Sequence, residues 1–323
     1  MKAVFIEQPG GIDALRYADF PTPRPAPGEV LVKIAYSGVN FIDTYHRSGL
    51  YKLPLPAVIG SEASGKVEQL GEGVTQFKLG DRVAYTLARG SYAEYQAVSA
   101  AQAVKIPDHV DDATAAACML QGATAHYLTH STFPLKRGQT TLVHAAAGGT
   151  GRLLVQMATM IGARVIGTVG SEEKAKLAKG DGASDTILYN QQDFVAETKR
   201  LTGGQGVDVV YDGVGQATLL KGFDCLKTRG MMVAFGQSSG PAAPIDILLL
   251  SQKGSLYVTR PTLFNYLASR EDLEWRTSDL FRWIGDGKLK INIDKAYPLA
   301  EAAQAHRDLE GRKTTGKLLL KVA

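Results

Sequence analysis

Cysteine is nearly absent from this chain of 323 residues, and the two that occur, Cys118 and Cys225, have no Cys or His nearby at ligand spacing. That excludes a disulfide scaffold, and both thiols read as small buried hydrophobes. No apolar run approaches the roughly 20 residues that a bilayer-spanning helix needs. The opening Met1-Lys2-Ala3-Val4-Phe5-Ile6-Glu7 meets charge too soon for a secretory signal, so a cytoplasmic, reducing setting is expected. A strong excess of one charge is lacking as well. The 36 basic and 32 acidic residues leave +4, too little and too dispersed to argue for nucleic acid, although a mildly basic balance suits an anionic cofactor. Repeats and low-complexity tracts are missing. The remaining composition, 45% hydrophobic and 21% charged, is that of an ordinary soluble globular protein, and the length favours two domains.

What the sequence does have is an informative stretch from Thr140 to Gly151, Thr-Thr-Leu-Val-His-Ala-Ala-Ala-Gly-Gly-Thr-Gly, continuing through Arg152-Leu-Leu-Val-Gln-Met-Ala. A β-prone run, a burst of small residues and an amphipathic continuation are the marks of a strand, a tight turn and a helix N-terminus. Such a turn seats a phosphate. Small residues let the backbone approach a pyrophosphate, while unpaired N–H groups and the positive dipole end of the helix offset its charge. Ala147, Gly148, Gly149 and Gly151, with Thr150 between, depart from the Gly-x-Gly-x-x-Gly spacing, and alone they would equally describe a tightly packed turn.

Context favours the phosphate. Candidate strands at 140–145, 163–169, 186–189, 207–211, 231–235 and 254–259 mostly alternate with helical patterns, which predicts a parallel sheet covered on both faces. Upstream the rhythm differs. Strands are expected at 2–6 and 29–36, joined by the proline-rich segment 21–28, then a turn and short helix at 37–49, a glycine-cornered β segment at 58–74 and a strand at 79–85. The alanine-rich segment 111–130 reads as a helical bridge, 298–309 as a helix, and 316–322 as a strand returning to the first domain.

Gly60-x-Glu62-x-x-Gly65-x5-Gly71-x-x-Val74, Leu79-Gly-Asp-Arg-Val83, the Ala-Ala-Gly-Gly-Thr-Gly turn, Val209-Val-Tyr-Asp212 and Gly254-Ser-Leu-Tyr-Val-Thr-Arg-Pro261 resemble the medium-chain dehydrogenase/reductase superfamily. Within it they are similar to the zinc-free, NADPH-dependent quinone oxidoreductases related to zeta-crystallin, over essentially the whole chain. Thr159 departs from that branch at a helix-surface position. The resemblance implies an α/β fold: a doubly wound parallel-sheet (Rossmann) cofactor domain at 122–287, and a β-rich GroES-like catalytic domain at 1–121 and 288–323. It also implies reduction of a quinone in the interdomain cleft, by hydride or by one-electron steps. At the positions where alcohol dehydrogenases of this superfamily place a zinc-binding Cys and His stand Asn40 and Ser61, neither a competent zinc ligand, and the four-cysteine structural lobe is missing. No metal is therefore expected. His46 reads as a helix residue.

Without a Lewis acid the acceptor must take hydride readily, as a quinone does by aromatising. The protein then has only to position the acceptor and stabilise growing charge on oxygen. The resemblance places Asn40, Tyr45 and Tyr51 in that pocket, with Arg260 at its rim; the tyrosines offer a flat apolar face and a hydroxyl. For NADPH it implies Asn40, Asp43, Thr124, Phe235, Ser238 and Lys317 in addition to the glycine turn. Gly170 stands where an NAD enzyme usually carries a carboxylate, Ser171 reads as an N-cap that makes the nearby Glu172 and Glu173 first-turn acids, and Lys174 is expected on the 2′-phosphate, where the resemblance adds Tyr189. Two other activities stay open: reduction of activated alkenes such as enones or alkenals, and a low-turnover NADPH-binding protein of the crystallin or RNA-binding kind, although no basic stripe with interleaved aromatics supports RNA. A homodimer through the last Rossmann strand is expected, with no membrane or nucleic-acid partner.

Overall fold

A computed structural model describes residues 1–311 and 313–322. The chain divides into two units, Met1–Ala123 with Leu267–Ala323, and Thr124–Tyr266. The helix Asp112–Tyr127 carries the chain from one to the other.

The first unit is built on antiparallel strands. Its larger sheet runs Ile293–Pro298, Lys317–Lys321, Glu29–Val39, Glu62–Leu70, Arg82–Thr86, Ala103–Lys105, with Tyr95–Ser99 also paired to Glu29–Val39. A small sheet joins Arg16–Asp19, Lys2–Ile6 and Ala57–Val58. One apolar core gathers Val30, Val32, Ile34, Val67, Val83 and Tyr85 from alternate strand positions, as a sheet with one buried face requires. The strand Lys317–Lys321 returns to this unit, with Leu318 opposite Val39 and Leu320 opposite Ser37. That register sets Lys317 beside Asn40, 277 residues earlier in the chain.

The second unit has six parallel strands in the order Asp185–Leu188, Arg164–Val169, Thr140–Val143, Val207–Asp212, Leu226–Ala234, Tyr257–Thr259. In chain order this is 3-2-1-4-5-6, the arrangement whose reversal point beside the first strand accepts dinucleotides. Leu142, Ile166, Ile187, Val210 and Met232 form its core with Phe194, Phe223 and Leu256.

Several boundaries differ from the sequence reading by a few residues, and two of the differences have a clear physical reason. The last strand starts at Tyr257 rather than Gly254, because Gly254 and Ser255 both take left-handed backbone (φ 109° and 55°), which ends extended pairing. The helix Arg270–Gly285, inside the span 122–287 that the resemblance gives to the cofactor domain, groups with the first unit. Its Leu273 and Phe281 join Val104, Ile106, Cys118 and Met119 in one core. No helix of the described residues is long and apolar enough to cross a membrane.

Candidate active site

The short helix Phe41–Ser48 organises the first unit's polar centre. Asn40 precedes it in extended conformation, and Asp43 reaches back so that the Asn40 backbone N–H donates to its Oδ2 at 2.8 Å, the reciprocal half of a capping box. Gly49 closes the helix with φ 81°, and the Tyr51 N–H donates to the Tyr45 carbonyl at 3.1 Å. The two tyrosine rings thereby meet edge to face, centroids 5.4 Å apart. Phe41 lies 6.5 Å from Tyr45, and His46 lies 6.0 Å from Tyr51. Burial, then the Arg89 charge, lowers the His46 pKa to about 4, so its imidazole is neutral at physiological pH.

At the N-terminal end of the same helix lies a buried charge cluster. Asn40 Nδ2 donates to Glu62 Oε1 at 2.7 Å, Asn40 Oδ1 accepts from Lys317 Nζ at 2.7 Å and Gln121 Nε2 at 3.3 Å, and Lys317 pairs with Glu62. The other Glu62 oxygen accepts the Leu120 N–H at 2.6 Å. Gly38 is required here, since a Cβ on it would fall 2.2 Å from Glu62 Oε1. Lys317 and Glu62 are both fully enclosed; burying two charges costs several kcal/mol per ion unless the remaining valences are filled, as the amides fill them here.

Asn40, Asp43 and Lys317 are thus brought together, and so are Tyr45 and Tyr51. Both polar atoms of the Asn40 amide are engaged inside the unit, and at least two of the three Lys317 donors are occupied. Ser61 Oγ donates to Asp43 Oδ1 at 2.9 Å. The sequence reading missed Gln121 and the chain of Tyr92, His306 and Arg47 behind Asp43. No local motif carries them, because the packing of a loop and two helices joins residues up to 259 positions apart.

In the second unit the turn leaves the strand Thr140–Val143 through Ala145, which takes φ 52°, and Gly148 caps the helix Gly149–Ile161. A Cβ at Gly151 would lie 2.2 Å from the Ala145 carbonyl oxygen, so only glycine lets turn and helix close this tightly. The first-turn N–H groups of that helix have no intrahelical acceptor, the condition for an anion seat. After the second strand, Ser171 caps the helix Glu172–Gly180 by accepting the Lys174 N–H at 3.3 Å. Gly170 lies against Tyr189, where a Cβ would meet the phenol oxygen at 2.7 Å, and the Gly170 carbonyl accepts from Asn190 at 2.9 Å. This strand end carries the Tyr189 hydroxyl and the Asn190 amide, with Lys174 in the first turn of the helix beside Glu172 and Glu173. Phe235 packs over Gly213, and the Ser238 N–H donates to the Gly213 carbonyl at 3.2 Å. Arg260 is exposed after the last strand, its one described contact a marginal 3.5 Å approach to the Pro261 carbonyl. Thr124 is buried in the connecting helix.

Residues 26–108 match the alcohol dehydrogenase GroES-like domain, and residues 182–320 match the family described as zinc-binding dehydrogenase. The quinone oxidoreductase of Pseudomonas aeruginosa is 46% identical over 96% of both chains. A Burkholderia 2-haloacrylate reductase is 42% identical over 98% of both. The solved Escherichia coli quinone oxidoreductase complexed with NADPH superposes with a TM-score of 0.98 at 42% identity, covering all of both chains. The residues present do not fit the zinc that one of these descriptions implies. Asn40 is held by amide, carboxylate and ammonium, Ser61 donates its hydroxyl to Asp43, and the Lys317 ammonium already supplies the positive charge beside Glu62. Among the described residues no group of three His, Cys, Asp or Glu side chains is placed to hold a metal.

Proposed function

The chain belongs to the zeta-crystallin-like quinone oxidoreductases of the medium-chain dehydrogenase/reductase superfamily, and from that premise we infer that it reduces quinones. It is an NADPH-dependent oxidoreductase. When bound, NADPH supplies a hydride from its nicotinamide. The second unit's part is to hold that cofactor: the helix N-terminus at Gly148–Gly151 takes the pyrophosphate, and Ser171, Lys174 and Tyr189 take the 2′-phosphate.

The first unit's part is to receive the acceptor. Tyr45 and Tyr51 offer aromatic faces to a quinone ring and hydroxyls to its oxygens, the hydride and one proton from solvent together giving the hydroquinone. Asn40 and Lys317, already bonded to Glu62, form the rigid floor on which the helix bearing Tyr45 rests. The observation that carries this reading is the paired tyrosines on a helix whose start is bonded to a cluster with an ammonium as its cation, a site suited to an acceptor needing no Lewis acid. Steady-state NADPH oxidation with benzoquinone after chelator treatment tests it. Activity should persist, and activity lost to the chelator and restored by zinc would overturn it.

The Burkholderia relative supports a second reading, reduction of an alkene activated by a neighbouring carbonyl, which needs the same hydride delivery and a proton at carbon. The exposed edge strand Tyr257–Thr259, with Ile247, Leu248 and Phe264 also exposed in this unit, supports a homodimer paired at that edge.

A further inference from the structure

Behind Asp43 runs a hydrogen-bonded chain that the chemistry above does not use. Tyr92 Oη lies 3.1 Å from Asp43 Oδ2 and 3.2 Å from His306 Nε2, and His306 Nδ1 lies 3.1 Å from Arg47 Nη1. Arg47 also forks onto Glu310 with bonds of 3.0 and 2.8 Å. Tyr92, His306 and Arg47 are buried, and only Glu310 reaches solvent.

The direction of every proton in this chain follows from its far end. A guanidinium can only donate, so His306 Nδ1 must accept, and the single proton of the neutral ring sits on Nε2. That N–H donates to the Tyr92 oxygen, which leaves the one phenolic hydrogen to donate to Asp43. Asp43 therefore receives Tyr92, the Ser61 hydroxyl and the Asn40 N–H, three donors that favour its carboxylate form. The chain is not a proton wire, because Arg47 blocks it at Nδ1.

We propose that Arg47, His306 and Tyr92 are positioning residues: a one-way hydrogen-bond chain, anchored at Glu310, that holds Asp43 as a carboxylate and thereby fixes Asn40 and the start of the helix bearing Tyr45. Its bearing on turnover rests on the function inferred above; its effect on Asp43 does not. The titratable and charged groups around Asp43 are Tyr92, Lys317 and Glu62, with His306 and Arg47 behind them. Burial pushes the Asp43 pKa up to about 7, against the bonds from Ser61 and Asn40, the Lys317 charge and the bond from Tyr92, so its protonation responds to these groups within the physiological range.

The test is an NMR titration of the full chain without cofactor, following the ¹³C-labelled Asp43 carboxyl, assigned by its loss in Asp43→Asn. Tyr92→Phe removes the donation and should raise the midpoint by about one to two pH units, the equivalent of one hydrogen bond to a charged group, whereas His306→Leu leaves the phenol its proton, takes away only the N–H that orders it and should give a smaller rise. His306→Gln, whose amide can accept from Arg47 and donate to Tyr92, should keep it near the wild-type value. A midpoint unmoved in Tyr92→Phe, or moved equally by His306→Leu and His306→Gln, would overturn the proposal; a merely structural role lowers the melting temperature without this pattern. In the unaltered protein, histidine ¹⁵N spectra should show His306 only as the Nε2–H tautomer. An Nδ1–H or an imidazolium at neutral pH contradicts it whatever the variants do. If these outcomes hold and no quinone is reduced, the functional reading fails and the positioning chain stands.

Discussion

Tyr45 and Tyr51 hold each other edge to face, so truncating either removes a wall as well as a ring. Tyr45→Ala and Tyr51→Ala should raise KM for bulky quinones more than they change NADPH affinity. A loss confined to KM marks uniform binding, whereas a fall in kcat alone would make one of them a proton donor, and unchanged kinetics in both would move the site elsewhere. The buried pair beneath them carries a stability prediction: Lys317→Met leaves Glu62 enclosed without its cation and should cost about 3 to 5 kcal/mol, with part recovered on adding Glu62→Gln. Denaturant unfolding of the two variants checks this, and equal stability of the single variant and the parent would refute it. Acid should also destabilise the fold. His306, lowered to about 3 by burial and the Arg47 charge, and His46, at about 4, both lie below the ordinary 6.5, so the unfolded chain binds protons that the folded one refuses and stability falls as pH drops below 6.5. Asp43, raised from 3.8 to about 7, opposes this over its own window, because there the folded chain takes its proton first. His306→Gln should therefore flatten the melting-temperature profile between about pH 4 and 6.5, and an unchanged slope would sink the attribution. At this scale the sequence revealed Asn40, Asp43 and the tyrosines through one short segment. It concealed Tyr92, His306 and Gln121, whose roles depend on how a loop and two helices pack against the short helix that bears Asp43.

Elements were more legible than their ends. The strand, small-residue turn and helix at 140–161 could be read directly, because each glycine answers a local demand. Gly151→Ala should bring a methyl onto the Ala145 carbonyl, prise the helix start away and weaken NADPH binding; isothermal titration showing undiminished affinity would contradict this. Lys174 follows the same logic at the next strand end. Lys174→Ala should weaken NADPH by about one to two decades, the worth of a hydrogen bond to a charged group, while hardly changing NADH. A parent enzyme that binds the two equally would defeat the assignment. The strands Arg16–Asp19, Tyr95–Ser99, Ala103–Lys105 and Ile293–Pro298 gave no such signal. They are short or lie at an edge, and exposed positions interrupt the alternation of burial in Ile293–Pro298.

For the whole molecule, composition and the change from short antiparallel strands to alternating strands and helices carried the fold class. The helix Arg270–Gly285 shows where that reasoning stops, since its apolar face fits either unit by pattern and only packing selects the first. The edge strand bears on assembly: Val258→Lys should give a sedimentation mass of one chain where the parent gives two, and a monomeric parent would remove the dimer from the account. The central claim is quinone reduction by NADPH, and kcat/KM across quinones, enones and 2-haloacrylates, with radical formation followed in parallel, tests it most directly. Quinones should be preferred by at least about tenfold, a difference of about 1.4 kcal/mol in transition-state stabilisation; an activated alkene reduced faster than every quinone would contradict it.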